Sequence, residues 1–320
     1  MFSLSLLAGL LLLTLVVLSS LDDISRRDSH FGRMLLALIA IGLLHLSWEL
    51  RRRGVQLVWP WANQQANKKA GIASQALYGL LLLTATYACF NYYQFDRKVF
   101  GSVGDYADAT YYYLNSKYFE ELGYTRLYEA MLIADAEADK RFRNVRRYRD
   151  LVAYKDVLPR AIALQHSRQI KAHFPAQRWE SFRSDVQYIA AHNISGGWNY
   201  FFIDHGYNPP PTWSLVGGSF AKLCPVEHLK WITMIDFVLI VSMMLVIGRV
   251  FGSYALLIAL LFYCVTFSGR WPILGQSLLR FDWLVALVLA VAALKKARFT
   301  LAGALLAYAA CNRIFPAIFF

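Results

Sequence analysis

Two carboxylates three residues apart open the stretch with the most chemistry in this chain: Asp105 and Asp108, in GDYADATYYY at residues 104–113. At that spacing they share one face of a helix, and Tyr112, four residues after Asp108, joins them if the helix begins early. A carboxylate close to a bilayer surface can act as a general base towards a hydroxyl. Aspartate is also a favoured helix N-cap, and the residues alone leave both roles open. Asp236 stands apart, about two turns inside an apolar run, where an ionised carboxylate is costly and has to find a partner such as Arg280 or a tyrosine. A structural polar contact and a cavity-lining role both fit it. No His, Cys and carboxylate residues fall at metal-ligand spacing, so neither metal nor cofactor is expected. Cys89, Cys264 and Cys311 lie in apolar runs and Cys224 near a membrane boundary, which reads as small buried hydrophobes rather than a disulfide framework.

The elements that hold these residues follow from composition. Of 320 residues, 57% are hydrophobic and 17% charged, with a mean hydropathy of +0.36. A soluble chain carries about a quarter charged residues. The apolar residues also cluster into runs approaching the ~20 needed to cross a ~30 Å hydrocarbon core. These predict an α-helical polytopic membrane protein with about seven transmembrane helices, at 2–20, 34–50, 75–94, 230–248, 252–268, 282–295 and 299–320, plus a mostly helical extracytoplasmic domain. Residues 1–74 form a two-helix hairpin with a basic cytoplasmic loop, 75–94 a third span, 95–229 the external domain and 230–320 the remaining spans. Arg51, Arg52, Arg53, Lys68 and Lys69 in one short loop, and Lys295, Lys296 and Arg298 in another, put the N-terminus and both loops in the cytoplasm. Residues 1–20 read as a span, with a cleaved signal peptide as the alternative that leaves later orientations unchanged. The last apolar run stops at Phe320 without polar flanking residues, which suggests a longer natural chain or a shortened fold. The net charge of +12 belongs to membrane topology and headgroup contact rather than to nucleic-acid binding.

Within 95–229, apolar stripes predict helices over 108–122 with Gly123 as C-cap, then 124–142, 158–173 and 177–191. The cluster Arg141, Arg143, Arg146, Arg147 and Arg149 does not disturb the topology, because long loops translocate regardless of charge. After His192, Gly196, Gly197, Gly206 and Pro209–Pro211 break regular structure. The aromatics there, Trp198, Tyr200, Phe201, Phe202, Tyr207 and Trp213, are expected at the membrane interface.

Asp108 followed by Tyr111 and Tyr112, then Leu122-Gly123 and Leu127-Tyr128, resembles the first external loop of glycosyltransferase family 87. Tyr207-Asn208-Pro209-Pro210 is similar to that family's Tyr-Pro-Pro segment. Gly275-Gln276, Arg298, Ala302-Gly303 and Asn312-Arg313-Ile314-Phe315-Pro316 look like its Gly-Gln to Lys-x-x-Pro stretch. The motifs run in the family's order over about two thirds of the chain. Two extra spans precede them, Asn208 interrupts the Tyr-Pro-Pro segment, and Asn312-Arg313 replaces the usual Lys. The resemblance implies a C-type (GT-C) glycosyltransferase fold, with a polyprenyl-phosphate sugar as donor and reaction at the outer membrane face. It implies Asp108, or Asp105, as the general base that deprotonates an acceptor hydroxyl. Arg280, His205 and Arg270 would face the departing phosphate, with Tyr112 and Gln276 beside the donor. Arg280 reads equally as an ion-pair partner of Asp282 or a snorkelling arginine, and His205, beside Asp204, as a loop hydrogen-bonding residue.

Three functions are therefore weighed. The first is a membrane glycosyltransferase of the bacterial inner membrane with a periplasmic domain, whose partners are membrane lipids, a lipid-linked donor and an unidentified acceptor. The second is a diverged scaffold or accessory subunit of a larger membrane complex. The third is a transporter, for which Asp236 is the one convincing intramembrane ionisable residue.

Overall fold

The computed structural model describes residues 26–55, 71–93, 106–154, 156–194, 196–266 and 278–319. It is mostly helical, with one two-stranded antiparallel sheet among the described residues. Two helices there are long and apolar enough to cross a membrane, Phe31–Arg52 near the N-terminus and Val226–Phe251.

Seven spans of C-type glycosyltransferase character are thus not what the chain forms. The expected spans at 252–268 and 299–320 shrink to Ser253–Cys264 and Phe299–Asn312, of 12 and 14 residues, while 282–295 forms a helix over the expected residues, Asp282–Lys295, of 14. At 1.5 Å per residue these reach only about 18–21 Å, well short of the hydrocarbon thickness. Gly71–Tyr93 coincides with the expected third span, but its inner face buries Ser74, Thr84 and Asn91 and it is not one of the two. The expected span at 2–20 lies outside the described residues, as do Lys68 and Lys69.

The chain divides into two compact units. The first holds Met1–Phe100, Ile240–Pro272 and Val291–Arg298. In it Arg26–Arg52, Gly71–Tyr93 and Ser253–Cys264 pack together, burying Leu36, Ile39, Leu43, Leu77, Leu81 and Leu257. Polar contacts thread this interior. Arg33 donates to the Thr266 carbonyl at 2.9 Å, the hydroxyls of Ser47 and Tyr254 meet, and Tyr92 donates to the Tyr263 hydroxyl at 3.2 Å. Cys89 and Cys264 bring their sulfurs to 3.6 Å, so these two thiols lie against each other rather than merely filling space.

The second unit holds Gly101–Leu239, Ile273–Ala290 and Phe299–Phe320, and carries the site. Its apolar core is aromatic-rich, running from Ala109 and Tyr113 through Met131, Phe142 and Phe182 to Leu278 and Leu279. Ala176–Ala190 is helical because Trp179, Phe182, Val186 and Ile189 recur at three- and four-residue spacing, and all four are buried. Gly123 ends the helix Phe119–Leu122 at φ +55, with its N–H returned to the Phe119 carbonyl. The helix expected over 124–142 stops at Ala136. There Asp135 accepts the N–H groups of Arg141 and Phe142 at 2.7 and 2.9 Å, which folds the chain into a turn instead. The arginine-rich segment then forms β1, Arg147–Arg149, paired antiparallel with β2, Val157–Pro159. Tyr148 points inward to Glu129 at 2.6 Å while Arg147 stays exposed.

Beyond His192 the structure is more regular than the Gly and Pro content suggests. Gly197–Phe201 and Pro211–Leu223 are helices, the second opened by Pro211 at its first position, where a missing N–H costs nothing. Phe201, Phe202, Tyr207 and Trp213 are buried in the core, not spread on a membrane interface, and Tyr200 alone of the six aromatics is exposed. Ring-on-ring packing explains this. Phe201 stacks on Tyr111, and Phe202 meets Phe142 edge to face.

Candidate functional site

Asp108 sits in the first turn of a helical run that begins at Tyr106. It is inside the helix rather than capping it. From Thr110 to Asn115 the run widens into a π-helix, a feature that tends to mark functional positions because it re-aims side chains. The three consecutive tyrosines consequently go to three different places. Tyr111 meets the Tyr128 hydroxyl at 2.7 Å and donates to Asp204 at 3.3 Å. Tyr113 donates to the Cys224 carbonyl at 2.7 Å. Tyr112 lies edge-on to Trp213, 4.9 Å between centroids, and receives a hydrogen bond from Arg280.

Arg280 completes the group. Its guanidinium lies 4.7 Å from the Tyr112 ring centroid and 4.0 Å from a carboxylate oxygen of Asp108. Three residues singled out in the sequence, separated by up to 172 positions, thus meet at one place. Tyr112 is buried, while the side chains of Arg280 and Asp108 keep partial access to solvent, 25% and 19%. A partly exposed ion pair at that distance contributes at most about 1 kcal/mol, so it can be broken at little cost.

The segment that presents Arg280 is strained. Leu278 and Leu279 both adopt positive φ, 63 and 51, a region that costs a non-glycine residue about 1–2 kcal/mol. Both are buried, and each buried leucine returns about 1.5–3 kcal/mol. Two hydrogen bonds fasten the turn. Trp213 donates its indole N–H to Leu279 O at 3.0 Å, and the N–H of Phe281 donates to Asp236 Oδ1 at 3.1 Å. Backbone strain of this kind, held by surrounding structure, is characteristic of sites where a side chain has to be aimed.

Asp236 finds its hydrogen-bond partner in the backbone of the turn that carries Arg280, with the Arg280 charge close enough to act on it. Asp282 is not the ion-pair partner of Arg280. It accepts from Tyr308 at 2.6 Å and from Asn312 at 3.2 Å, which gives the Asn312-Arg313 departure a structural use. His205 is exposed and stacks on Tyr154 at 5.5 Å, and among the described residues it makes no contact with Asp108 or Arg280. Asp105, Arg270 and Gln276 lie outside the described residues.

Around the group, Tyr106 stacks on His192 at 4.0 Å, and burial, then Tyr188, pushes its hydroxyl up to about 12. Burial, reinforced by Tyr128 and Asp204, raises the Tyr111 hydroxyl further still. Both stay protonated donors at any physiological pH. A cleft of about 440 Å³ opens nearby along the same helical run, lined by Ser116, Phe119, Tyr124, Leu215, Ser219 and Lys222 among others. Trp213 and the Leu278–Leu279 turn are the parts that sequence reasoning missed. Among the described residues no cluster of three metal-ligating side chains forms.

Comparison with protein-family models, curated proteins and solved structures finds no match.

Proposed function

We propose that this chain is a membrane-associated glycosyltransferase that uses a polyprenyl-phosphate sugar. The observation that carries the reading is the meeting of Asp108 and Tyr112, from one helical run, with Arg280, presented by a strained turn. It does not depend on a seven-span bundle. The acceptor hydroxyl gives its proton to the Asp108 carboxylate. Its oxygen bonds to the anomeric carbon as the bond to the phosphate oxygen breaks, and the electron pair leaves on the lipid phosphate. Arg280, positioned by Tyr112, meets that developing charge. The two long apolar helices support attachment to a membrane. In this reading the protein is integral to a bacterial inner membrane, its N-terminus cytoplasmic and residues 95–229 periplasmic. The family-87 resemblance rests on its motifs alone.

A second reading, a diverged scaffold or accessory subunit, draws on the cleft, whose lining residues do not include Asp108 or Arg280. The deciding experiment is Asp108→Asn in the full chain, assayed for sugar transfer from lipid-linked donors. Unchanged transfer removes Asp108 from the mechanism.

A further inference from the structure

Helix Pro211–Leu223 has two unlike faces. Its inner face buries Trp213, Gly217, Gly218 and Ala221. The small residues permit close approach, since a Cβ added to Gly218 would meet the Ser116 carbonyl at 3.4 Å. The outer face exposes three large apolar side chains alongside Ser219 and Lys222. Leu215 is 74% exposed, Phe220 41% and Leu223 84%. Leu215 and Leu223 are eight residues apart, two turns along one side, so they mark a stripe about 12 Å long. Each such leucine left in water forgoes about 1.5–3 kcal/mol.

The next segment of the chain indicates the environment that covers this stripe. After Cys224 and Pro225 the chain enters Val226–Phe251, one of the two helices long and apolar enough to cross a bilayer. That helix also exposes large apolar side chains, Trp231 at 68% and Val238 at 59%. The ammonium of Lys230 lies 4.8 Å from the Trp231 ring centroid. Tryptophan with a neighbouring lysine is the pairing that partitions to headgroup depth, ring inward and charge outward. Lys222 sits in the last turn of Pro211–Leu223.

We infer that Pro211–Leu223 is an in-plane membrane helix, lying in the interface of a phospholipid bilayer with Leu215, Phe220 and Leu223 among the upper acyl chains. Lys222, whose ammonium pairs with Glu120 at 2.6 Å, and Lys230 lie at phosphate level. Such a helix sinks about 5–10 Å into the headgroup boundary. The inference rests on the reading that Val226–Phe251 enters a bilayer. Its consequence is that the cleft walled by Leu215, Ser219 and Lys222 opens among lipids rather than into bulk water.

The test uses the full chain with its four cysteines replaced by serine, carrying one new cysteine at a time: Leu215→Cys, Leu223→Cys, Leu245→Cys or Tyr200→Cys. Each is labelled with an environment-sensitive dye and reconstituted into phosphatidylcholine vesicles holding chain-brominated lipid. At positions 215 and 223 the dye is expected to be quenched roughly threefold or more over position 200, and most strongly by bromines near the headgroup. Position 245 is expected to respond to mid-chain bromines. If 215 and 223 behave like 200 while 245 is quenched, the in-plane helix is overturned and the span stands. If 245 is also unquenched, the membrane reading falls and takes this inference with it. A dye at 215 and 223 shielded from water but not quenched by lipid means that protein covers the stripe, which overturns the proposal too.

Discussion

The indole N–H of Trp213 donates to the carbonyl oxygen of Leu279 at 3.0 Å, joining a helix to a turn 66 residues away. That turn carries Arg280, so a side chain with no charge governs where a charge sits. Trp213→Phe keeps the ring against Tyr112 but leaves a buried carbonyl without its donor, at a cost of about 1–3 kcal/mol. Thermal melting of the purified protein in detergent should fall accordingly, and sugar transfer should drop with it because Arg280 is released. An unchanged melting temperature would mean that the bond contributes nothing.

Asp108→Asn should lower kcat by about 10²–10⁴-fold with little change in KM, since only the proton acceptor is lost. Arg280→Ala should lower kcat by about 10²–10³-fold through loss of charge stabilisation at the departing phosphate. Arg280→Lys should recover only part of this, because an ammonium does not reproduce the planar fork laid over Tyr112. Steady-state kinetics with a lipid-linked donor distinguishes the three.

Two glycines should respond in opposite senses. Gly206 has φ +76, and a Cβ there would lie 2.7 Å from the buried Leu151 side chain. Gly206→Ala therefore combines an unfavourable backbone with overpacking, and should destabilise by about 2–4 kcal/mol. Gly303 lies inside the helix Phe299–Asn312 with nothing within 4 Å of an added Cβ. Gly303→Ala should stabilise by about 0.5–1 kcal/mol. Paired melts of the two variants check this.

Glu137 gives a pH prediction. Burial alone would raise its carboxyl, but hydrogen bonds from Lys171 and Trp179 outweigh that and hold it below the usual 4.5. The distances are 2.9 and 3.0 Å. A depressed carboxylate favours the folded state above its unfolded pKa, and that contribution disappears as pH falls through the folded pKa. The gap in melting temperature between wild type and Glu137→Gln should thus be full at pH 6–7 and close as pH falls below about 4.5. A gap that persists to lower pH would contradict the assignment.

What the sequence made legible was periodic. Trp179, Phe182 and Val186 located Ala176–Ala190 to within a residue, and Gly123 the end of Phe119–Leu122, because a 3.6-residue repeat and a positive-φ glycine are local properties. Asp108, Tyr112 and Arg280 were legible as chemistry. Their meeting was not, since it depends on Leu278 and Leu279 adopting a conformation that leucine disfavours and on Trp213 being an inward residue. The apolar runs misled in number. A run rich in Leu and Ala reads alike whether its helix is 14 residues or 20, and only the end at Asn312 fixes the shorter length of the last helix. The Pro209–Pro211 run read as a breaker when its last member starts a helix.

The π-helix at Thr110–Asn115 lets the helical run carry an additional residue while its two flanks stay in phase. Deleting one residue there would return the segment to the tighter coil and re-aim the side chains inside it, while the flanks kept their alignment. Tyr112 would lose its bearing on Arg280, whereas Ser116, just beyond the segment, would keep its place by the Tyr207 hydroxyl at 3.2 Å. The segment behaves like slack taken up at one point of a rope, where shortening changes the loop and not the two ends.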